Sequence, residues 1–114
     1  MIHRSVAFAF QTSFSLAEML GRLNRVGGHD WIERDRDSWG DYISSITHGP
    51  GDRDKTRMRI LWPDDVNGWV LDLQFSSEAA DADARLERFL EFAKETVLTV
   101  VDATAVREVD DYSE

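Results

Sequence analysis

The sequence predicts an α+β fold, a two-layer sandwich in which a mainly antiparallel sheet packs against two amphipathic helices. Three observations predict it. Bulky residues alternate with small or polar ones over 5–11, 56–62 and 69–76, the period-two signature of strands. A capped apolar stripe at helical spacing follows the first of these segments. A second, longer stripe runs from about Glu78 to about Val101.

In the first strand Val6, Phe8 and Phe10 share one face, opposite Ala7, Ala9 and Gln11. Ser15 with Glu18 three residues later forms a capping-box pattern, and Phe14 before the cap is placed to staple onto Met19. Leu16, Met19, Leu20, Leu23 and Val26 make the buried stripe of the first helix, which Gly27-Gly28 ends because glycine accepts left-handed backbone.

Trp31-Ile32 opens a strand whose Glu33-Arg34-Asp35-Arg36 run puts acids on one face and arginines on the other. Asp37-Ser38-Trp39-Gly40 has turn chemistry, and Tyr42, Ile43 and Ile46 mark a returning strand, so this stretch is a hairpin. Residues 48–55 are a loop. Thr56, Met58, Ile60 and Trp62 then alternate with Arg57, Arg59 and Leu61, a strand with one wet face for part of its length. After the turn 63–68, Trp69, Leu71, Leu73 and Phe75 pair back onto it, with Trp62 and Trp69 facing the core at the strand ends.

Ser77 is the expected cap of the long helix, whose stripe is Leu86, Phe89, Leu90, Ala93, Val97, Val100 and Val101. Residues 104–109 either add a short strand or continue the helix after a break, and 110–114 read as a frayed acidic tail. The sheet therefore has about five strands, or six with the last segment. The order β-α-β-β-β-β-α resembles a ferredoxin-like plan with an extra hairpin strand. At 114 residues, with no repeat and no linker, residues 1–114 are expected to form one domain.

Composition narrows the functional classes. Thirteen basic and 22 acidic residues give a net charge of −9, which opposes direct nucleic-acid binding and favours encounter with a basic partner. There is no cysteine, so neither a disulfide framework nor a thiol ligand is available. The first ten residues lack the pattern of a cleaved leader, and no apolar run has the length of a membrane span, which together suggest a cytoplasmic protein.

No motif carries chemistry. His3, His29 and His48 are scattered, and neither a metal nor another cofactor is expected. Asp35-Arg36-Asp37-Ser38-Trp39-Gly40-Asp41 begins like a calcium loop, but Trp39 stands where a short oxygen ligand is needed and Ile46 where the bidentate acid is needed. The serines lack a nucleophile elbow, and Gly27-Gly28 follows a helix where a phosphate loop would open one. Arg57 with Arg59 is a candidate anion site, although cross-strand pairing with Asp72 is the simpler role.

The aromatic residues are more telling. Trp39 lies in a turn among Asp35, Asp37 and Asp41, with Tyr42 behind it, and a large aromatic ringed by carboxylates resembles a binding hot spot. The expected partner patch is Asp35, Asp37, Trp39, Asp41 and Tyr42, with Asp64 and Asp65 adjoining. In general character (short, acidic, cysteine-free) the chain resembles small bacterial immunity proteins. That resemblance implies a non-enzymatic inhibitor of a basic toxin or nuclease, or a nucleic-acid mimic. Alternatives are a small-molecule sensor or enzyme subunit on the same scaffold, and an assembly protein pairing through an edge strand at 104–109.

Overall fold

In the computed structural model, which describes residues 2–27, 29–36, 40–48, 54–63, 66 and 68–109, regular elements follow the alternations of the sequence. They are β1 (Ile2–Gln11), α1 (Leu16–Val26), β2 (Ile32–Arg36), β3 (Gly40–His48), β4 (Asp54–Leu61), β5 (Trp69–Ser77), α2 (Ala82–Phe92) and β6 (Thr104–Val109). The strands form one six-stranded sheet in the order β2-β3-β4-β5-β1-β6, antiparallel at every pairing. The element order is roughly ferredoxin-like with two additional strands between the helices. The segment 104–109 is a strand, pairing Ala9 with Arg107 and Ala7 with Val109.

One sheet face carries the main core. Phe8, Phe10, Ile43, Met58, Ile60, Leu71, Leu73 and Phe75 meet Met19 and Leu23 of α1 and Phe89, Ala93, Val97 and Val101 of the long helix. The cross-strand partners Phe8 and Leu71, Ile60 and Leu71, and Ile43 and Ile60 hold this face in register, since a slip of one residue would turn every side chain outward.

Local signals behave as their chemistry requires at α1. Ser15 Oγ accepts from the Glu18 amide, and Glu18 Oε1 accepts from the Ser15 amide. Gly27 ends the helix at φ 80°, and Val26, placed on the apolar stripe, is exposed at its last position. Asn24 then grips the chain behind it, accepting from the Trp31 amide at 2.8 Å and donating to the Trp31 carbonyl at 3.0 Å.

The long helix starts later than the sequence suggests. Ser77 is the last residue of β5, and its hydroxyl accepts from the Ala79 amide and donates to Asp54. Asp81 occupies the cap position of α2 instead. α2 continues through a π-helical turn (Ala93–Val97) into a final α-helical turn (Leu98–Val100). The π turn has a physical reason. Phe89, Ala93, Val97 and Val101 recur every four residues, and in a regular helix each such step overshoots one turn by about 40°. One wider turn absorbs the drift and keeps all four inward.

The helix ends with Asp102 at φ 55°, its amide bonded to the Thr99 carbonyl and the Ala103 amide to the Leu98 carbonyl. That is the paired closure of a Schellman motif.

The opposite face is not simply wet. Ala7, Ala9, Tyr42, Leu61 and Val70 form a second, smaller core beneath Val66 of the β4–β5 connection. Gly68 lets this connection pass close to β1: a Cβ there would lie 2.6 Å from the Gln11 side chain and 3.0 Å from the Phe10 carbonyl oxygen. Trp62 is 42% exposed rather than core-facing, its ring edge-on to Trp69 at 5.1 Å.

Candidate functional site

The β2–β3 hairpin forms one end of the sheet. Its register sets Asp35 directly opposite Asp41 and Glu33 opposite Ile43. Strand alternation places all three acids on the helix-side face, yet Glu33, Asp35 and Asp41 are exposed, as is Asp30 just before the strand. Directly opposed residues hold their Cβ atoms roughly 4.5–5.5 Å apart, a spacing at which like charges repel. The hairpin is anchored by the buried Trp31, held at both backbone groups by Asn24. The result is an acidic ledge beside the helices.

Of the residues singled out in the sequence, Asp35 and Asp41 come together on this ledge. Tyr42 does not join them. Following Asp41 on a strand, it points to the opposite face, where it is only 8% exposed and packs in the second core with Leu61, Val66 and Val70. Asp37, Trp39, Asp64 and Asp65 lie outside the described residues.

The face to which Tyr42 points is basic. Arg34 donates through Nε to Ser44 Oγ at 3.1 Å. Arg57 donates to Gln74 Oε1, its direct cross-strand neighbour. Arg59 lies opposite Asp72 and forms a buried ion pair with it, Nε to Oδ2 at 2.8 Å and a second contact from Nη2. Arg59 is thus the cross-strand partner of Asp72, the simpler of the two roles open to it in the sequence. Asp72 Oδ1 is buried and has no hydrogen-bond partner among the described residues.

A second ionic cluster ties β4 to the start of α2. Arg85 bridges Asp54 at 2.6 Å and Asp81 at 2.8 Å, while Ser77 donates to the other Asp54 oxygen. The Ser77 hydroxyl, with the adjacent Arg85 guanidinium, lowers the Asp54 carboxyl below its ordinary 3.8. The geometry is that of a joint between loop and helix.

His29 stacks on Phe92 with ring centroids 4.8 Å apart, and burial pushes it below its ordinary 6.5 against the opposing pull of Asp30. A groove of about 490 Å³ lies between the end of the long helix and β6 and is lined by Phe8, Lys94, Leu98 and Val106 among others.

Among the described residues no group of three or more His, Asp or Glu side chains is placed to hold a metal ion. No helix among them is long and apolar enough to cross a membrane. Comparison of the sequence with models of protein families finds no match, and comparison with curated proteins finds none similar to it.

Proposed function

We propose that this chain is a non-enzymatic, acidic protein-binding inhibitor, acting in the cytoplasm as an immunity-type protein that covers a basic surface of a toxin or nuclease. The observation that carries the reading is the direct opposition of Asp35 and Asp41, with Glu33 on the same exposed face. Two like charges facing each other across a strand pair cost stability in the free protein. A cationic partner seated over them relieves that repulsion on binding, and the net charge of −9 speeds its approach.

Capture of partners on the tagged chain from its native host tests this. A basic protein should be retained, released by high salt, and lost on Asp35→Lys or Asp41→Lys. Retention of the same partner by both variants would remove the ledge from the contact. Capture only of partners without a basic surface would overturn the inhibitor reading itself.

A further inference from the structure

β6 is an edge strand, bonded to β1 alone among the described residues. The groove between it and the end of the long helix, about 490 Å³, falls within the range of roughly 300–1,000 Å³ typical of small-molecule sites. Phe8, Leu98 and Val106 give it apolar walls, and Lys94, Thr99 and Asp102 supply its polar groups. Val106 is 44% exposed, a branched aliphatic side chain left facing water.

The connection from helix to strand is strained. Among the described residues two that are not glycine hold a positive φ, Asp102 at 55° and Ala105 at 51°, and both border this groove. Residues kept in that region store strain, and they gather at ligand clamps. Ala105 lies in a β-bulge, where β6 runs from Thr104 to Arg107 while β1 runs only from Gln11 to Ala9. Bulges re-aim side chains, and the next residue, Val106, lines the groove.

Asp102 is misplaced for the fold in a second way, because its carboxylate stands at the negative end of the helix dipole. Its side chain has no hydrogen-bond or ion-pair partner among the described residues. Lys94 stands eight residues earlier, about 12 Å back along the helix axis. Its Nζ lies 5.4 Å from the centroid of the Phe8 ring. A ring contact takes one side of the ammonium and leaves N–H donors over. No carboxylate pairs with Lys94 among the described residues. The groove thus has an unpaired anion at one end, an unpaired cation at the other and an apolar floor between them.

We propose that this groove binds a short apolar peptide of about three residues with both termini free. The Asp102 carboxylate takes the terminal ammonium, with the helix dipole assisting, and Lys94 takes the terminal carboxylate. The peptide side chains lie on Phe8, Leu98 and Val106. Three extended residues reach roughly 10 Å, and the flexible Lys94 stem closes the remaining distance. The groove lies at the β6 edge of the sheet and the acidic ledge at the β2 edge, so the two readings stand or fall separately.

Calorimetric titration of the whole chain with tri-leucine, with its N-acetyl form and with its C-terminal amide tests the proposal. Saturable binding of tri-leucine is expected, with Kd on the order of 1 mM or tighter. Each blocked form should bind about tenfold more weakly, the loss of one charge-assisted contact. Asp102→Asn keeps a residue that accepts left-handed backbone. It should weaken tri-leucine about tenfold and leave the N-acetyl form unchanged. Lys94→Gln should weaken tri-leucine likewise and leave the amide unchanged. Arg107→Gln, on the other face of β6, should bind as the parent does.

Lys94 and Asp102 are exposed, and unaltered circular dichroism would show that the variants fold. The proposal is overturned if tri-leucine does not bind saturably, or if either blocked form binds as tightly as the free peptide. It is also overturned if either groove variant binds tri-leucine as tightly as the parent.

Discussion

The buried pair Arg59–Asp72 is the residue on which stability turns most sharply, because neither side chain reaches water. Arg59→Ala strands a carboxylate in the sheet and should cost roughly 3–5 kcal/mol in urea unfolding. Replacing both partners, Arg59→Leu with Asp72→Leu, should recover most of that loss. A double variant as unstable as the single would show that the ion pair is not what Arg59 contributes.

His29 gives a second residue-scale test. Its folded value lies below 6.5, so the native state resists protonation that the unfolded chain accepts. Stability is therefore complete above pH 6.5 and declines as pH falls through the window beneath it. His29→Phe, which can still stack on Phe92, should flatten unfolding free energy against pH in that window; an unchanged slope would exclude His29 as its source. The opposition of Asp35 and Asp41 was not legible in the sequence, since a turn at 37–40 would set Asp35 opposite Tyr42, and only the pairing of Arg36 with Gly40 brings the two acids face to face. The separation of Tyr42 from Asp41 was legible, because neighbours on a strand cannot share a face. The pairing of Arg59 was legible only as one of two roles, since a charged residue in an alternating strand reads first as solvated.

At the scale of elements, the helix terminus and the π turn make opposite demands. Asp102 holds a left-handed conformation that suits glycine, and it sets a negative charge against the negative end of the helix dipole. Asp102→Gly should therefore raise stability by roughly 0.5–1 kcal/mol, read as a higher urea midpoint. Deleting Glu95, exposed on the π turn, should also be tolerated. The core positions would then recur at spacings of four, three and four, which a regular helix accommodates, and the loss should stay within about 2 kcal/mol. An unfolded deletion variant would mean that the wide turn is needed for itself. The helices were readable from their stripes, and the capping box located the first turn of α1. Ser77 misled because a serine before an acidic run signals a cap equally well when it ends a strand and bonds to a distant Asp54.

Over the described sheet the charges differ by face, with Glu33, Asp35 and Asp41 on the hairpin ledge and Arg34, Lys55, Arg57 and Arg59 on the opposite side. If the ledge is kept for a partner and not for stability, Asp41→Lys should stabilise the isolated protein by roughly 0.2–1 kcal/mol while removing the capture described above, because it turns a repelling pair into an attracting one. Destabilisation would show that the acids are comfortable where they are. The sheet and its helices were readable because period two and period 3.6 are written in the chain. The second core was not, because Ala7, Ala9, Leu61 and Val70 share their face with polar Ser5, Gln11, Arg59 and Asp72, and their cover, Val66, arrives from a loop.

The strand order also dictates a sequence of events. β2 to β5 are successive neighbours, each able to close on the one before through a local turn. β1, made first, must wait, because its partners are β5 and β6 and its register joins Ile2 to Ser77. The four-stranded meander should therefore gain amide-exchange protection early in refolding. The seating of β1 against it, a closure across most of the chain, should set the pace at which the native sheet is completed.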